Sequence, residues 1–305
     1  MPSRTEVETE ITMAPDNTRR HYLKQLQAYT KRDTILYGTA FTNRKGPHIP
    51  PHLLAIEVDD IQGFMASLHG LQGDKLDLVL HSPGGSLEAA EQIVNYLRSK
   101  YSSIRAIVPQ NAMSAATMIA CACDEIVMGK QSAIGPIDPQ ITFPTQHGPY
   151  TAPAQALLND FEQAKQEVAQ NQRVAALWVA KMKDFPPGIF NICRDTIELA
   201  KQKVKDWLSS YMFRGRADAV EKANAIGNWL GDADQHKTHG HPISIGEART
   251  QGLNVTALEE DQRLQDGVLS VFHATAVTFG VTDCVKLVEN HKGKGWYYRV
   301  QLKIQ

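Results

Sequence analysis

The sequence lacks most of the features that would fix a function cheaply. Cysteine occurs only four times, at 121, 123, 193 and 284. No spacing among them suits a zinc site, and so few do not make a disulfide framework. Cys121 and Cys123 stand in an apolar run, where thiols act as small hydrophobes, so a reducing cytoplasm is the expected setting. No apolar run is long enough to cross a bilayer: the longest, Ala112 to Cys123, carries Ser114 and Thr117. The opening residues MPSRTEVETEITM hold no apolar signal core. There is no block of like charge, and the formal net charge is −1, which disfavours a primary nucleic-acid binder. The Gly-Gly turn at 84–85 runs on as GGSLEAA, without the Gly-Lys-Ser/Thr ending of a phosphate loop. Internal repeats and low-complexity segments are absent.

What remains is a chain of ordinary composition, 42% hydrophobic, long enough to bury a sizeable core. Apolar periodicity predicts a helix over 18–31, a strand over 34–41, a Pro/Gly loop over 43–52 and a helix over 54–71, with Asp60 near its start. Strands follow at 76–81, 104–108 and 125–128, alternating with helices at 86–100 and 114–123. Such alternation predicts an α/β fold with parallel strands. Beyond Asp138 the pattern changes. A loop is expected over 144–155, one long helix over 154–183, and further helices over 189–213 and 216–230. A polar turn over 231–242 precedes a short helix at 244–253, where Ser244 and Glu247 make a capping box and Gly252 a stop. The chain closes with a helix over 257–279 and a β-hairpin. The expected division is an N-terminal arm and helix (1–32), a core with a helical insertion (33–255), and a C-terminal helix and hairpin (256–305).

The chemistry concentrates in residues 76–141. An apolar strand ends in His81-Ser-Pro-Gly-Gly85, and a second strand breaks at Pro109 into Gln-Asn-Ala-Met-Ser114-Ala-Ala-Thr-Met. Gly84 and Gly85 allow a sharp turn and close approach of a ligand to backbone N–H groups. Ser114 stands at a strand-to-helix corner among small residues. It reads either as an N-cap or as a nucleophile whose following amide, on Ala115, faces a developing oxyanion.

These motifs, with IVMGKQSAIGPIDPQ after them, resemble the serine dehydrogenase proteinase (SDH-type) family of the ClpP/crotonase-like superfamily, over residues 34–255. The resemblance implies a ClpP/crotonase-like spiral of ββα units, here with added long helices and a C-terminal hairpin. It implies a serine protease with Ser114 as nucleophile and the Gly85 and Ala115 amides as oxyanion hole. Gly84 and Gly135 are expected in the substrate-binding cleft. Clp proteases place a histidine just after the third core strand, but Ala133-Ile-Gly-Pro-Ile-Asp-Pro139 has none. Related signal-peptide-peptidase-type enzymes instead take a lysine from a later helix. Lys165 meets that description, on a helix with Leu158, Phe161, Val168 and Ala169 along the same stripe. A desolvated amine there would act as general base in a Ser-Lys dyad. Lys130, His147 and Asp138 are the rivals, Asp138 also as the group that orients a base.

Two other readings stay open: an acyl-CoA hydratase or isomerase of the crotonase type, and a non-catalytic oligomeric scaffold that has lost its base. No cofactor and no metal are expected, and His236, His239 and His241 read as part of the polar turn. Family relatives form rings, so a homo-oligomer acting on a protein or peptide is implied, without nucleic acid. Any separate ATPase or membrane partner is left open.

Overall fold

The computed structural model describes residues 15–43, 49–146, 148–183 and 185–300. Helix α1 (Pro15–Thr30) leads into strand β1 (Asp33–Thr39), and α2 (Asp60–Leu68) into β2 (Lys75–His81). Then come α3 (Leu87–Lys100), β3 (Ser103–Val108), the two-residue β4 (Asn111–Ala112), α4 (Ala115–Cys121), β5 (Glu125–Met128) and the two-residue β6 (Ala133–Ile134). A ribbon of β7 (Gln140–Thr145) and β8 (Gly148–Pro153) opens the insertion, which continues as α5 (Ala154–Gln170), α6 (Ala175–Met182), α7 (Ile189–Trp207) and α8 (Ala219–Leu230). The last elements are α9 (Ala233–His236), α10 (Ile245–Thr250), β9 (Val255–Ala257), α11 (Gln262–Val281), β10 (Cys284–Asn290) and β11 (Gly295–Arg299).

Seven strands form one sheet in the order β11-β10-β1-β2-β3-β5-β9. The five from β1 to β9 are parallel, as the alternation with helices requires. The C-terminal hairpin adds two antiparallel strands beside β1. The sheet is covered on both faces, so β2 is buried from Leu76 to His81 rather than alternating between buried and exposed, with the buried Asp77 paired to Arg32 and Arg105. Leu76, Leu78 and Leu80 point into a core shared with Phe64, Ile93, Leu97, Ile119, Trp207 and Trp229. Val79 points the other way, to Leu23, Leu26, Val268 and Val271 of α1 and α11. Each such side chain, fully buried, is worth about 1.5–3 kcal/mol against exposure.

Several local expectations change. The helix expected over 54–71 is shorter, because Ile56 leaves helical geometry to form a parallel bridge with Gly85. Residues 140–153 are a hairpin rather than a loop; its prolines pair at the ends and along an edge where a missing N–H is tolerated. The long helix over 154–183 breaks at Asn171, whose extended backbone stops α5 and whose side chain accepts from the Arg173 N–H. Strand β9 takes the start of the segment expected as the last helix. Ser244 caps α10 by accepting from the Glu247 N–H, while the Glu247 carboxylate lies towards His241 instead of closing the box, and Gly252 sits at a φ of 94° beyond α10.

The fold also holds charge inside. Asp60 is fully buried and accepts from the Tyr37 hydroxyl at 2.7 Å and from the Lys286 amine at 2.9 Å. Lys286 donates as well to the Ala55 carbonyl at 2.6 Å. This network ties β10 to the segment just before Ile56, the residue that backs the glycine turn.

Candidate active site

The site begins at the corner between β4 and α4. Ser114 has φ 52° and ψ −120°, one of three positive-φ non-glycine residues among those described. Left-handed φ with this ψ is costly for a side chain, about 1–3 kcal/mol, and surrounding structure must impose it. Met113 N–H donates to Ser82 O at 3.0 Å, and Ser82 N–H donates to Asn111 O at 3.1 Å. The chain before the corner is therefore pinned to the end of β2. His81 adds to this: its Nδ1 accepts from the Asn111 N–H at 3.3 Å and its Nε2 meets the Thr42 hydroxyl at 3.0 Å. Burial drives the His81 pKa down to about 3, so the ring is neutral and structural.

Ser114 does not cap the helix it precedes; its hydroxyl makes no capping hydrogen bond. Thr117 instead closes the corner, donating to Ala112 O at 2.8 Å and accepting from the Gly135 N–H at 2.9 Å. The serine oxygen is thus held at the start of α4 without a structural task. Gly84 explains why the neighbouring turn needs glycine. At its φ of 95° a Cβ would lie 2.6 Å from both Met113 O and Ser114 Cβ. At Gly85 a Cβ would run into the Ile56 backbone. Among the described residues, neither the Gly85 nor the Ala115 N–H is taken up by another group. Two free amides next to an uncapped serine can hold an oxyanion.

Ser114, Ala115, Gly84 and Gly85 share a cleft of about 730 Å³. Its walls include Leu54, Met118 and Ile137, the β7–β8 ribbon through Gln140, Thr142 and Thr151, and Thr196 and Ala200 of α7. His239 also lines it. His239 Nδ1 lies 2.9 Å from Asp138 Oδ1, while Asp138 Oδ2 accepts from the Gln140 amide at 3.0 Å. The Asp138 side chain is 6% exposed and the His239 side chain 29%. An ionised carboxylate only accepts, so Nδ1 carries the proton and Nε2 is left as the basic atom. His52 lines the cleft too, but it is exposed and no carboxylate among the described residues orients it.

The structure does not bring Lys165 to this cleft. Its side chain is 57% exposed, its amine is 2.8 Å from Glu162 one turn away, and it leans over the Phe161 ring. The apolar stripe inferred for α5 packs through Leu157 and Ala164, and Lys165 stands beside it rather than on it. The desolvation that a lysine base needs is absent within one chain. Lys130 is exposed, with its backbone N–H on Glu259. His147 lies outside the described residues. Gly135 is buried behind the Met113 side chain rather than in the cleft wall. Asp138 lies against His239. His239 is the residue the sequence did not reveal as a partner; its signal was a Pro-Ile-Asp-Pro turn with no histidine nearby, which left a carboxylate in search of a base.

Fold and site together define a ClpP-like α/β architecture that presents a serine beside two amides free among the described residues. The chain belongs to the family of ClpP-like SDH-type serine proteinases, whose family model matches residues 49–263. It is 30% identical over 203 residues to the uncharacterised protein MJ0137 of Methanocaldococcus jannaschii, covering 66% of this chain and 60% of that one. It is 26% identical over 201 residues to the uncharacterised MJ1495 of the same organism, covering 66% and 59%. The chain thus spans about 60% of the length of these curated relatives. Among solved structures it is similar to a mutant of the membrane-bound stomatin-specific protease 1510-N, at 16% identity and a TM-score of 0.41, over 70% of this chain and 79% of that one. No helix among the described residues is long and apolar enough to cross a membrane.

Proposed function

We propose that the protein is a serine peptidase in which His239, oriented by Asp138, serves Ser114 as general base. The observation that carries this reading is the His239–Asp138 pair at 2.9 Å in the wall of the cleft that holds the uncapped Ser114. In the first half-reaction His239 Nε2 takes the Ser114 hydroxyl proton as the oxygen attacks the scissile carbonyl carbon. The carbonyl oxygen, now negative, rests on the Gly85 and Ala115 N–H groups. His239 then gives its proton to the leaving amine, and an acyl-serine remains. In the second half, water loses a proton to His239 and attacks the acyl carbon; the acyl–oxygen bond breaks, His239 returns the proton to Ser114 Oγ, and the acid leaves. Asp138 holds the tautomer and balances the transient imidazolium.

Polypeptide is the substrate class that suits the cleft. It is open, walled by apolar side chains on one side and by the ribbon on the other, and among the described residues carries no cluster of basic groups for a phosphate or coenzyme A. A Ser-Lys arrangement through Lys165 is less favoured, since that amine is spent on Glu162 at the surface. Self-association belongs to the same proposal. Helix α6 buries none of its residues, and Leu177 and Val179 are 72% and 69% exposed, as a helix that packs on a second copy would be. Light scattering after gel filtration checks this: a monomer at micromolar concentration would remove it.

The test of the activity is a fluorophosphonate probe followed by peptide mapping. The adduct is expected on Ser114, with hydrolysis of an unstructured protein such as casein lost in Ser114→Ala. Labelling elsewhere, or hydrolysis that survives Ser114→Ala, would remove the reading.

A further inference from the structure

The segment that carries His239 has a second feature that the serine chemistry does not use. His236 ends the short helix α9, which Asp232 caps by accepting from the Gln235 N–H at 3.0 Å. The His236 ring is buried, at 5% exposure, edge-on to the Trp229 indole and 5.4 Å from the His241 ring. His236 Nε2 lies 2.8 Å from the Trp229 carbonyl. A carbonyl accepts only, so Nε2 bears the proton and the lone pair sits on Nδ1, which has no donor facing it among the described residues. His241 Nε2 is 3.5 Å from a Glu247 carboxylate oxygen. One nitrogen of each histidine and one Glu247 oxygen all lie within 4.8 Å of one another.

A buried imidazole whose far nitrogen is fixed by a backbone carbonyl is the arrangement seen behind metal-binding histidines, because it sets the tautomer and aims the lone pair. Two imidazoles and a carboxylate are a donor set suited to zinc; calcium and magnesium prefer oxygen. Zinc held at about 2.0–2.2 Å from each ligand places tetrahedral donor atoms about 3.4 Å apart. Closing from 4.8 Å needs only side-chain rotation by His241 and Glu247, each 36% exposed. The backbone of Glu247 is already fixed by the Ser244 cap.

We propose that His236, His241 and Glu247 bind a zinc ion, with water in the fourth position. His239 lies between the two histidines in sequence. The ion joins both ends of that short segment to the first turn of α10 and holds His239 against Asp138. Its role is to stiffen the loop, and it takes no part in acyl transfer.

The experiment uses the full chain, freed of metal by chelation and titrated with zinc against a chromophoric competitor, and in parallel with cobalt(II). One equivalent of zinc per chain is expected, with the strong visible absorption of four-coordinate cobalt and a higher unfolding temperature. His241→Ala and Glu247→Gln, both at partly exposed positions, should each weaken zinc at least about tenfold while keeping the circular dichroism of the metal-free protein. His239→Ala should bind zinc as the parent does. No stoichiometric zinc, unchanged affinity in His241→Ala, or loss of zinc in His239→Ala would each overturn the assignment. Fluorophosphonate labelling of Ser114 does not enter these readouts, so the metal site and the peptidase reading fail separately.

Discussion

The two halves of the candidate site are built in different ways. The serine corner is made of backbone. Main-chain hydrogen bonds run from Ile56 N–H to Gly84 O, from Ser86 N–H to Ile56 O and from Ser82 N–H to Asn111 O, and the corner is closed by Thr117 inside the core. The histidine side is made of side chains on a polar loop, joined to the core by the Asp138–His239 contact. The first half is rigid because moving it would unfold the end of the sheet. The second can shift by rotamer changes, which suits a group that must exchange protons and stay near water.

If the comparison holds, damage to the loop should strike catalysis and spare the fold. Asp138→Asn, which removes the charge and favours the wrong tautomer, should lower the peptidase rate about 10²–10⁴-fold. Its thermal unfolding should move less than in the corner variants below, since the amide matches the carboxylate in size and keeps an oxygen for His239. A denaturation midpoint that collapses in this variant would show the loop to be structural after all.

Damage behind the corner should do the reverse. Lys286→Ala leaves Asp60 buried without its cation and frees the Ala55 carbonyl next to Ile56. Breaking a buried pair in this way costs about 3–5 kcal/mol, read as a lower midpoint in urea. Gly84→Ala acts closer in, forcing Met113 O and Ser114 Cβ away from the new methyl group. A loss of about 1–3 kcal/mol is expected from the lost left-handed conformation and the clash. Fluorophosphonate labelling should fall with it, because the corner itself moves.

Acid should also act on the corner first. The His81 pKa lies near 3 against an ordinary value of 6.5, because its charged form is not tolerated in the core. Between those values the unfolded chain binds a proton that the folded chain does not. His81 therefore contributes its full stability above about pH 6.5 and loses it as the pH falls toward 3. His81→Asn keeps an acceptor for the Asn111 N–H but no titrating ring, and should flatten the acid side of a plot of unfolding temperature against pH. A curve with the same acid slope would remove this role for His81.

The same contrast explains what the sequence disclosed. The corner is written in local terms: a glycine pair after an apolar strand, small residues around one serine, a proline that ends a strand. Those are constraints on backbone, and they are legible wherever they occur. The parallel sheet, the Ser244 cap and the terminal hairpin are legible for the same reason. The His239–Asp138 pair joins residues 101 apart, across a helical insertion, and no periodicity connects them. Helical spacing tells which residues share a face, not what lies opposite it, and within one chain Lys165 faces solvent and Glu162. The break at Asn171 and the β7–β8 ribbon, with its three prolines, were hidden by the same limit. The histidine cluster looked compositional until Trp229 O and Glu247 gave two of its members defined neighbours.

The most direct test of the account is the rate at which a fluorophosphonate acylates Ser114 in three proteins: the parent, His239→Ala and Lys165→Ala. General-base assistance is worth about 10²–10⁴-fold, so His239→Ala should react that much more slowly. Lys165→Ala, which removes only an exposed ion pair, should match the parent. Fast labelling in His239→Ala together with a large loss in Lys165→Ala would contradict the account and return the base to the lysine.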